Sequence, residues 1–454
     1  MSLHENSDGQ DTASPRRELT LFDSVCVIVG IIVGAGIYKS APLIASCMPT
    51  TASLVGIWVV GGVLSLIGAA CYAELASAYP RDGGDYVYLT RAFGRPTGFL
   101  FAWSQLWIVR PGSIGALAFV FAEYFKELLP IPGDTGHTLL YAAGAIVVLT
   151  ANNVVSVKQY KWTQNLLTTV KVLGLAAVGA SAFLPTVDAV SAAPVASASN
   201  ADANYYKALI LVLFVYGGWN EMAYVGAEVR RPEKNLLRSL FLGTAAVTLI
   251  YVLLNAAFVY ALGLGGVQNA GAIAADVVRR VAPAWGGKAI AALVCVSSLG
   301  AVNGLIFTGS RIPYAMGTEH PLWACLGRWN ARHGTPIWSL LVQAIVTLAL
   351  VVGFGLREGA FGRLVNFTTP FAWFFFALVG VSLFVLRIRD PHVPRPYRVT
   401  GYPITPLIFS LSSLFLVYSG LIYWWKDHSS EVYWSSGIML VGLALAFADR
   451  SQRD

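Results

Sequence analysis

Apolar segments long enough to cross a bilayer recur along the whole chain, and they restrict its fold more than any other feature. A helix needs ~20 apolar residues to span a bilayer. By this criterion there are about twelve such segments, at roughly 20–46, 53–78, 97–125, 138–157, 163–184, 205–228, 240–262, 288–313, 336–354, 362–386, 404–425 and 433–448. Charged residues make up only 12% of the chain, which is about half of what a soluble domain carries. These patterns predict an all-α integral membrane protein with about twelve transmembrane helices, and they argue against a soluble enzyme.

Lysine and arginine are distributed unequally between the two sides of the predicted bundle. With the N-terminus in the cytoplasm, 20 of the 31 basic residues lie in cytoplasmic segments, 8 in outer segments and 3 inside spans. Because basic loops stay in the cytoplasm, both termini are predicted to be cytoplasmic, in a cell (inner) membrane. The lipid bilayer then accounts for the net charge of +7, and no nucleic-acid partner is expected.

Two of the apolar segments are interrupted by glycine. A Gly-Ala-Gly triplet at 34–36 lies within the run 25–38, and a Gly-Gly pair at 217–218 lies within 209–227. Glycine breaks a helix and frees backbone groups, and bare backbone at membrane depth is tolerated only where protein covers it or it lines a cavity. One break in each half of the chain is typical of a transporter built from two repeats, with its binding site at the breaks.

Five predicted spans in each half place the start of the second half on the opposite side of the membrane, so the repeat is inverted. The predicted organisation is a cytoplasmic tail (1–18), a first repeat with spans 1–5 (19–187), an outer linker (188–204), a second repeat with spans 6–10 (205–390), and accessory spans 11–12 with a C-terminal tail (391–454). Residues 267–285 are too polar to span, and two alternatives are open for them: outer helices that close over the site, or a solvent-exposed loop.

The first break exposes both kinds of backbone group. The carbonyls of Ile32 and Val33 and the amides of Ala35, Gly36 and Ile37 lose their helical partners. A helix N-terminus suits an anion, and a helix C-terminus suits a cation. A free amino acid carries a carboxylate and an ammonium close together, so backbone alone can hold its common part. Glycines that only permit close helix packing are an equal alternative.

The second break lies among aromatic residues. Its carbonyls are predicted to complete the ammonium site, with Phe214 lying over the substrate as a gate. In the alternative interpretation, Tyr216 and Trp219 are packing aromatics. The candidate substrate-binding residues are Ile32, Val33, Gly34, Ala35, Gly36, Ile37, Phe214, Val215, Gly217 and Trp219.

Seven motifs in order along the chain carry a family resemblance. They are Ile-Ile-Val-Gly-Ala-Gly-Ile-Tyr (31–38), Cys-Tyr-Ala-Glu-Leu (71–75), Gly-Gly-Asp-Tyr-Val-Tyr (83–88), Arg-Pro-Gly-Ser (110–113), Tyr-Gly-Gly-Trp-Asn (216–220), Val-Asn-Gly-Leu-Ile-Phe (302–307) and Arg-Pro-Tyr-Arg-Val (395–399). Together they resemble the L-type amino acid transporter (LAT) family of the amino acid–polyamine–organocation (APC) superfamily, in a bacterial-type member. The resemblance runs from about residue 18 to 425.

The resemblance implies a LeuT-like five-plus-five inverted repeat with helices 1 and 6 broken and two accessory helices. It also implies sodium-independent amino acid transport, usually by exchange. By the same resemblance, Ile32, Ala35, Gly36, Phe214 and Gly217 fall on the family's substrate-binding positions. Animal members use a cysteine in the outer loop that corresponds to 129–138 to join a heavy-chain glycoprotein; this loop lacks one, so a heavy-chain subunit is not expected.

Lys171 is the single ionisable residue of the segment 166–183. A lysine at membrane depth is costly and faces a partner or a cavity. It matches the fifth-span lysine of the family, whose ammonium is placed where sodium-coupled relatives hold a cation. It is expected to donate to the freed carbonyls of Gly30 or Ile31 and to Ser297 or Ser298. Three roles are open for this group: coupling to substrate, proton coupling, and a structural brace.

Five other charges lie in or near predicted spans. Arg110 is expected to brace helices, and Glu228 to pair with a basic residue. Glu74 either forms a gate or lies at a solvated helix end. Glu221 either lines the pathway and attracts cationic groups or has no such role, and Lys39 is expected to snorkel.

The function predicted from these features is a secondary transporter for neutral L-amino acids. It works by sodium-independent alternating access, most simply as an obligatory exchanger. A proton-coupled importer that uses Lys171 is the closest alternative, and a channel is a more distant one. The chain shows no nucleotide-binding, metal-ligand or catalytic motif, so no cofactor, metal site or enzymatic activity is expected.

Overall fold

The computed structural model describes residues 14–130, 136–185, 203–427 and 430–451. The predicted linker 188–204 lies almost wholly outside these residues, as does most of the predicted tail 1–18. The first eight helices are α1 (Leu21–Ile32), α2 (Gly36–Ala45), α3 (Thr51–Ala78), α4 (Asp85–Phe93), α5 (Arg95–Ser104), α6 (Arg110–Leu128), α7 (Gly136–Val155) and α8 (Val157–Ser181). The next eight are α9 (Tyr205–Val215), α10 (Pro232–Gln268), α11 (Ile273–Arg279), α12 (Gly286–Glu319), α13 (Ile337–Gly355), α14 (Ala360–Arg389), α15 (Ile404–Asp427) and α16 (Ser430–Ser451).

Most of the described residues belong to long apolar helices. Nine of the described helices or joined helices are long and apolar enough to cross a membrane, and the pair α1–α2, bent by 51°, makes a tenth span. The predicted spans 163–184 and 205–228 correspond to α8 and to α9 with the turns that follow it. α8 carries lysine and amide side chains among its 25 residues, and α9 has only 11 residues. Neither helix is therefore both long enough and apolar enough to count as a span by itself. The predicted all-helical, multi-pass fold is confirmed.

The first broken helix is anchored at its start. A capping box begins α1: the Thr20 hydroxyl accepts from the Asp23 amide at 3.2 Å, and the Asp23 carboxylate accepts from the Thr20 amide at 2.9 Å. Just before it, the backbone of Leu19 bonds to the Glu228 carbonyl and the Arg230 amide, both at 2.9 Å. The start of the first broken helix is thus joined directly to the end of the second.

Residues 267–285, for which the sequence leaves two alternatives, contain the end of α10 and one short helix, α11. α10 bends at Gly263, where φ is 68°, and continues to Gln268. After it, α11 packs against α2, α8, α10 and α12, with Ile273 and Val277 fully buried. The structure therefore shows a short, packed helix in this segment rather than an exposed loop. α11 lies at the start of α12, at the opposite end of the bundle from α4.

Candidate functional site

The first break is a three-residue interruption, 33–35, between α1 and α2. Its carbonyls are largely occupied by donors within the protein. The Ile32 carbonyl accepts from the Tyr251 hydroxyl at 2.9 Å and from the Gly34 amide at 2.7 Å. The Val33 carbonyl accepts from the Ser297 hydroxyl at 2.9 Å. The two side-chain donors come from α10 and α12. These two neighbouring helices therefore stabilise the non-helical conformation of the break.

The amides of the same break are free. In the described part of the chain, those of Ala35, Gly36 and Ile37 donate to no hydrogen-bond acceptor. They lie at the N-terminus of α2, where the helix dipole favours an anion. A short anionic group is the natural partner for three convergent, unpaired amides.

The second break lies beside the first. A Cβ atom built on Gly36 would approach Val215 at 3.3 Å, and one on Gly218 would lie 2.7 Å from the Ile31 side chain. Gly218 also has φ +112°, a backbone conformation that residues with side chains rarely adopt. The close approach to Ile31 and the positive φ together explain why the second break has glycine at position 218.

The carbonyls of the second break complement the amides of the first. Among the described residues, those of Val215, Tyr216 and Gly217 accept no backbone hydrogen bond. The Phe214 carbonyl accepts from the Gly217 amide at 3.1 Å, and the Phe214 side chain is 38% exposed. The predicted anion-binding and cation-binding groups therefore lie on two breaks that contact each other.

The aromatic residues of the second break have separate surroundings. Trp219 packs at right angles to Tyr72 at 5.1 Å and lies 5.9 Å from Phe376 of α14. The buried Tyr216 donates to the Trp58 carbonyl at 3.0 Å. Both rings pack into the helix bundle, as the alternative interpretation of these aromatics requires.

Lys171 is fully buried and joins three helices. Its ammonium donates to the carbonyls of Gly30 at 2.7 Å, Val33 at 2.9 Å and Ser297 at 3.0 Å. All three protons of the ammonium are thereby used, with no carboxylate among its partners. The bonds expected to Gly30 and Ser297 are present, although Ser297 contributes its backbone carbonyl. Of the two alternatives Gly30 and Ile31, the structure has Gly30, and the Val33 carbonyl is a further acceptor.

Ser298 is not a partner of the lysine. Its buried hydroxyl has no hydrogen-bond partner in the described part of the chain. On the next turn of α12, a Cβ atom on Gly300 would lie 2.9 Å from the Lys171 nitrogen. A larger residue at Gly300 would displace the ammonium, so this glycine leaves the space that the lysine occupies.

A buried ion pair joins α6 to the second break. Arg110 donates to the Glu221 carboxylate at 2.7 Å, and the two side chains are only 5% and 7% exposed. The Thr308 hydroxyl of α12 donates to the same carboxylate at 2.6 Å, and Gln105 accepts from Arg110 at 3.0 Å. Arg110 braces helices, as expected. Glu221 is neutralised by Arg110, so it does not present a free negative charge.

Further ion pairs join helices at the end of the bundle that carries α4. Glu228 accepts two bonds from Arg311, at 2.7 and 3.2 Å, which confirms the predicted basic partner. Glu74 is buried and accepts from Arg387 at 2.8 Å, so it does not lie at a solvated helix end. At the other end, Lys39 pairs with Glu123 at 2.6 Å.

Asp85 is a buried acid to which the sequence analysis assigned no role. It begins α4, outside the spans, and accepts from the hydroxyls of Tyr72 and Tyr224, each at 2.8 Å. Burial raises the pKa of the Asp85 carboxyl to about 7, although the two hydrogen bonds oppose the shift. The signal available in the sequence was the Gly-Gly-Asp-Tyr motif, whose acid follows two glycines with positive φ.

Two broken helices that contact each other inside an apolar bundle, with a buried ammonium bonded to the first of them, are typical of a multi-pass membrane transporter. The family model described as amino acid permease matches residues 19–444. The chain therefore belongs to the amino acid permease family of the APC superfamily.

Individual relatives agree with this assignment. The b(0,+)-type amino acid transporter 1 of mouse (Mus musculus) is 29% identical over 432 residues, which cover 90% of this chain and 84% of the relative. The large neutral amino acids transporter small subunit 2 of rabbit (Oryctolagus cuniculus) is 30% identical over 420 residues, which cover 89% of this chain and 76% of the relative. These are transporters of the LAT family, so the predicted family is confirmed, and the protein is an amino acid transporter rather than an enzyme.

Proposed function

We propose that this protein exchanges neutral L-amino acids across a cell membrane without sodium, by alternating access. The observation that carries the proposal is the position of Lys171. Its ammonium joins the first break to α8 and α12 through three carbonyls. Carbonyl oxygens around a positive charge make a cation site, and here the cation is covalently attached. A free sodium ion has no vacant place at this point.

The substrate would bridge the two breaks. Its carboxylate would accept from the free amides of Ala35, Gly36 and Ile37. Its ammonium would lie on carbonyls of the second break near Phe214 and Gly217. The Ile32 carbonyl would join them only when the Tyr251 hydroxyl releases it, because a carbonyl has two lone pairs and both are in use.

The charge balance beside the second break supports a substrate with a neutral side chain. Arg110 and Glu221 cancel each other, and Thr308 and Gln105 complete their hydrogen bonds. Neither a cationic nor an anionic substrate side chain would find an unpaired partner there. The name of the rabbit relative, a large neutral amino acids transporter, agrees with this preference.

Alternating access would come from the first two spans of each repeat, rocking against the rest of the bundle. The pairs Glu228–Arg311 and Glu74–Arg387 hold the α4 end closed. Opening this end would require breaking them. The proposal includes the inverted repeats at 19–187 and 205–390, cytoplasmic termini, an inner-membrane location in a bacterial-type protein, and transport without a heavy chain.

Reconstitution of the purified protein into liposomes tests the proposal. Uptake of labelled leucine or alanine should require unlabelled amino acid inside, and should be the same in sodium and choline buffers. Uptake into empty liposomes would contradict exchange, and a sodium requirement would contradict the role given to Lys171.

A proton-coupled importer is the second candidate. The observation that favours it is that Lys171 has no carboxylate among its hydrogen-bond partners, so loss of its proton would leave no unpaired buried acid. Uptake into empty liposomes driven by an imposed pH gradient, and abolished in Lys171→Ala, would select this alternative.

A further inference from the structure

An apolar crevice lies between α8, α11 and α12. Its volume is about 550 Å³, within the usual range for a small-molecule site. The walls include Val170, Gly174 and Ala177 of α8, Leu293 of α12, and Trp285 at the start of α12. Its wall residues are apolar apart from the Ser181 hydroxyl. A crevice of this composition suits a hydrocarbon chain and offers no anchor for an amino acid.

The crevice faces the lipid. Val170 is 43% exposed, and Leu173, on the same helix, is 64% exposed. In a bundle that spans a membrane, exposed apolar side chains of this kind contact hydrocarbon. Trp285, at the mouth, is 63% exposed. Tryptophan is enriched where the hydrocarbon meets the headgroups, which places the mouth at that depth.

Three basic residues neighbour wall residues of the mouth in the sequence. Arg279 and Arg280 lie between wall residues Val278 and Val281, and Lys288 precedes wall residue Ala289. Arg279 pairs with Asp276 at 3.4 Å. Within the described ranges, Arg280 and Lys288 form no ion pair. Two uncompensated positive charges therefore lie where an apolar crevice meets the membrane surface.

The inner end of the crevice adjoins the Lys171 contact. Wall residue Val170 precedes Lys171, and wall residue Val296 precedes Ser297, whose carbonyl accepts from the lysine. Between them and the mouth, a Cβ atom on Gly174 would lie 2.3 Å from Leu293, so α8 and α12 touch at the floor. The crevice therefore lies beside the contact between α8 and α12 that adjoins the ammonium.

We propose that the crevice binds one anionic phospholipid of the surrounding bilayer. Its acyl chain fills the apolar cleft, and its phosphate lies on Arg280 and Lys288. Basic pockets between transmembrane helices favour anionic headgroups, and a zwitterionic lipid gains less from them. The bound chain supports the contact between α8 and α12 that positions Lys171.

Native mass spectrometry of the purified full-length protein tests this, with phosphatidylglycerol and phosphatidylcholine of identical acyl chains as probes. The parent should bind one phosphatidylglycerol with roughly tenfold higher affinity than phosphatidylcholine. Arg280→Ala with Lys288→Ala should remove that difference, and Arg280→Lys with Lys288→Arg should restore it. The matched control is Lys126→Ala with Lys207→Ala, two exposed basic residues outside the crevice, which should bind as the parent does.

A second variant fills the cleft. Ala177 is an exposed wall residue, so Ala177→Trp can occupy the space without disturbing the buried core. It should reduce binding of both lipids at least fivefold while its melting temperature stays at the parent value. Equal affinity of the parent for the two lipids, or unchanged binding by Ala177→Trp, would overturn the proposal. Binding is measured without amino acids, so a failure of the exchange proposal leaves this test intact.

Discussion

The two helix breaks are built differently, and the difference assigns them different parts of a substrate. The first is three residues long, and donors of the protein occupy its carbonyls at Gly30, Ile32 and Val33, so its amides are what it offers. The second continues from Tyr216 into short 3-10 turns that end at Glu228, and among the described residues the carbonyls of Val215, Tyr216 and Gly217 at its start accept no backbone hydrogen bond. If the two breaks were alike, each would present both free amides and free carbonyls to a substrate.

The charges around the breaks differ as well. Beside the first break there is one ammonium, held by backbone alone. The second break carries two acids, Glu221 and Glu228, each paired with an arginine of a neighbouring helix. The first break is therefore held by one ammonium and two hydroxyl donors, whereas the second depends on buried ion pairs that cross between helices.

The largest effect should come from the ion pair at the second break. Glu221→Gln leaves the Arg110 charge buried without a counter-ion, which costs about 3–5 kcal/mol of stability. We expect a large fall in the melting temperature and loss of leucine exchange, with Glu233→Gln, an exposed acid, as the control. Adding Arg110→Gln should recover much of the stability. If Glu221→Gln alone matches the parent, the pair does not hold the second break.

Lys171→Ala tests the first break. It removes the ammonium that joins the carbonyls of Gly30, Val33 and Ser297, although the Val33 carbonyl keeps the Ser297 hydroxyl as a donor, so we expect exchange to fall at least tenfold in liposomes. If the ammonium takes the place of a cation, high sodium should restore part of the activity in this variant but not in the parent. Exposed Lys158 on the same helix supplies the control, Lys158→Ala. Full activity in choline buffer would show that the lysine is dispensable.

Gly218→Val tests the contact between the breaks. The positive φ and the 2.7 Å approach to Ile31 should cost about 1–3 kcal/mol, measured by thermal unfolding, and should reduce transport. Gly56→Ala is the matched control, because no atom lies within 4 Å of its new Cβ. Equal stability of both variants would show that the breaks separate freely.

The smallest effect should come from Tyr251→Phe. Removing the hydroxyl frees the Ile32 carbonyl for the substrate ammonium, and one hydrogen bond is worth about 1 kcal/mol. We expect the KM for leucine to fall a few-fold with kcat nearly unchanged, while Tyr260→Phe, an exposed tyrosine of the same helix, has no effect. A higher KM would mean that the hydroxyl orients the carbonyl.

Much of the architecture could be predicted without coordinates. Hydropathy and length place the spans, because a bilayer imposes the same constraint on every segment. Glycine placement marks both breaks, and the isolated Lys171 marks the cation position. Two of the predicted spans, α8 and α9, do not qualify as apolar spans in the structure. α8 is partly polar, and α9 continues through non-helical turns.

The site is less predictable, since hydrogen-bond choices depend on helix rotation. Ser297 and Ser298 are equivalent in sequence, yet only Ser297 contacts the Lys171 ammonium and the Val33 carbonyl. Adjacent residues on a helix differ in direction by about 100°, so a small rotation decides between them. Trp219, likewise a candidate by position, packs against Tyr72.

By itself, the sequence determined that this is a helical membrane transporter with two glycine breaks, because hydrophobic length and glycine placement are local properties. Only the tertiary structure decided which charges meet. Arg110 and Glu221 are 111 residues apart, and Tyr251 is 219 residues from the Ile32 carbonyl it holds. Such pairings arise from how helices pack, and no local pattern encodes the packing.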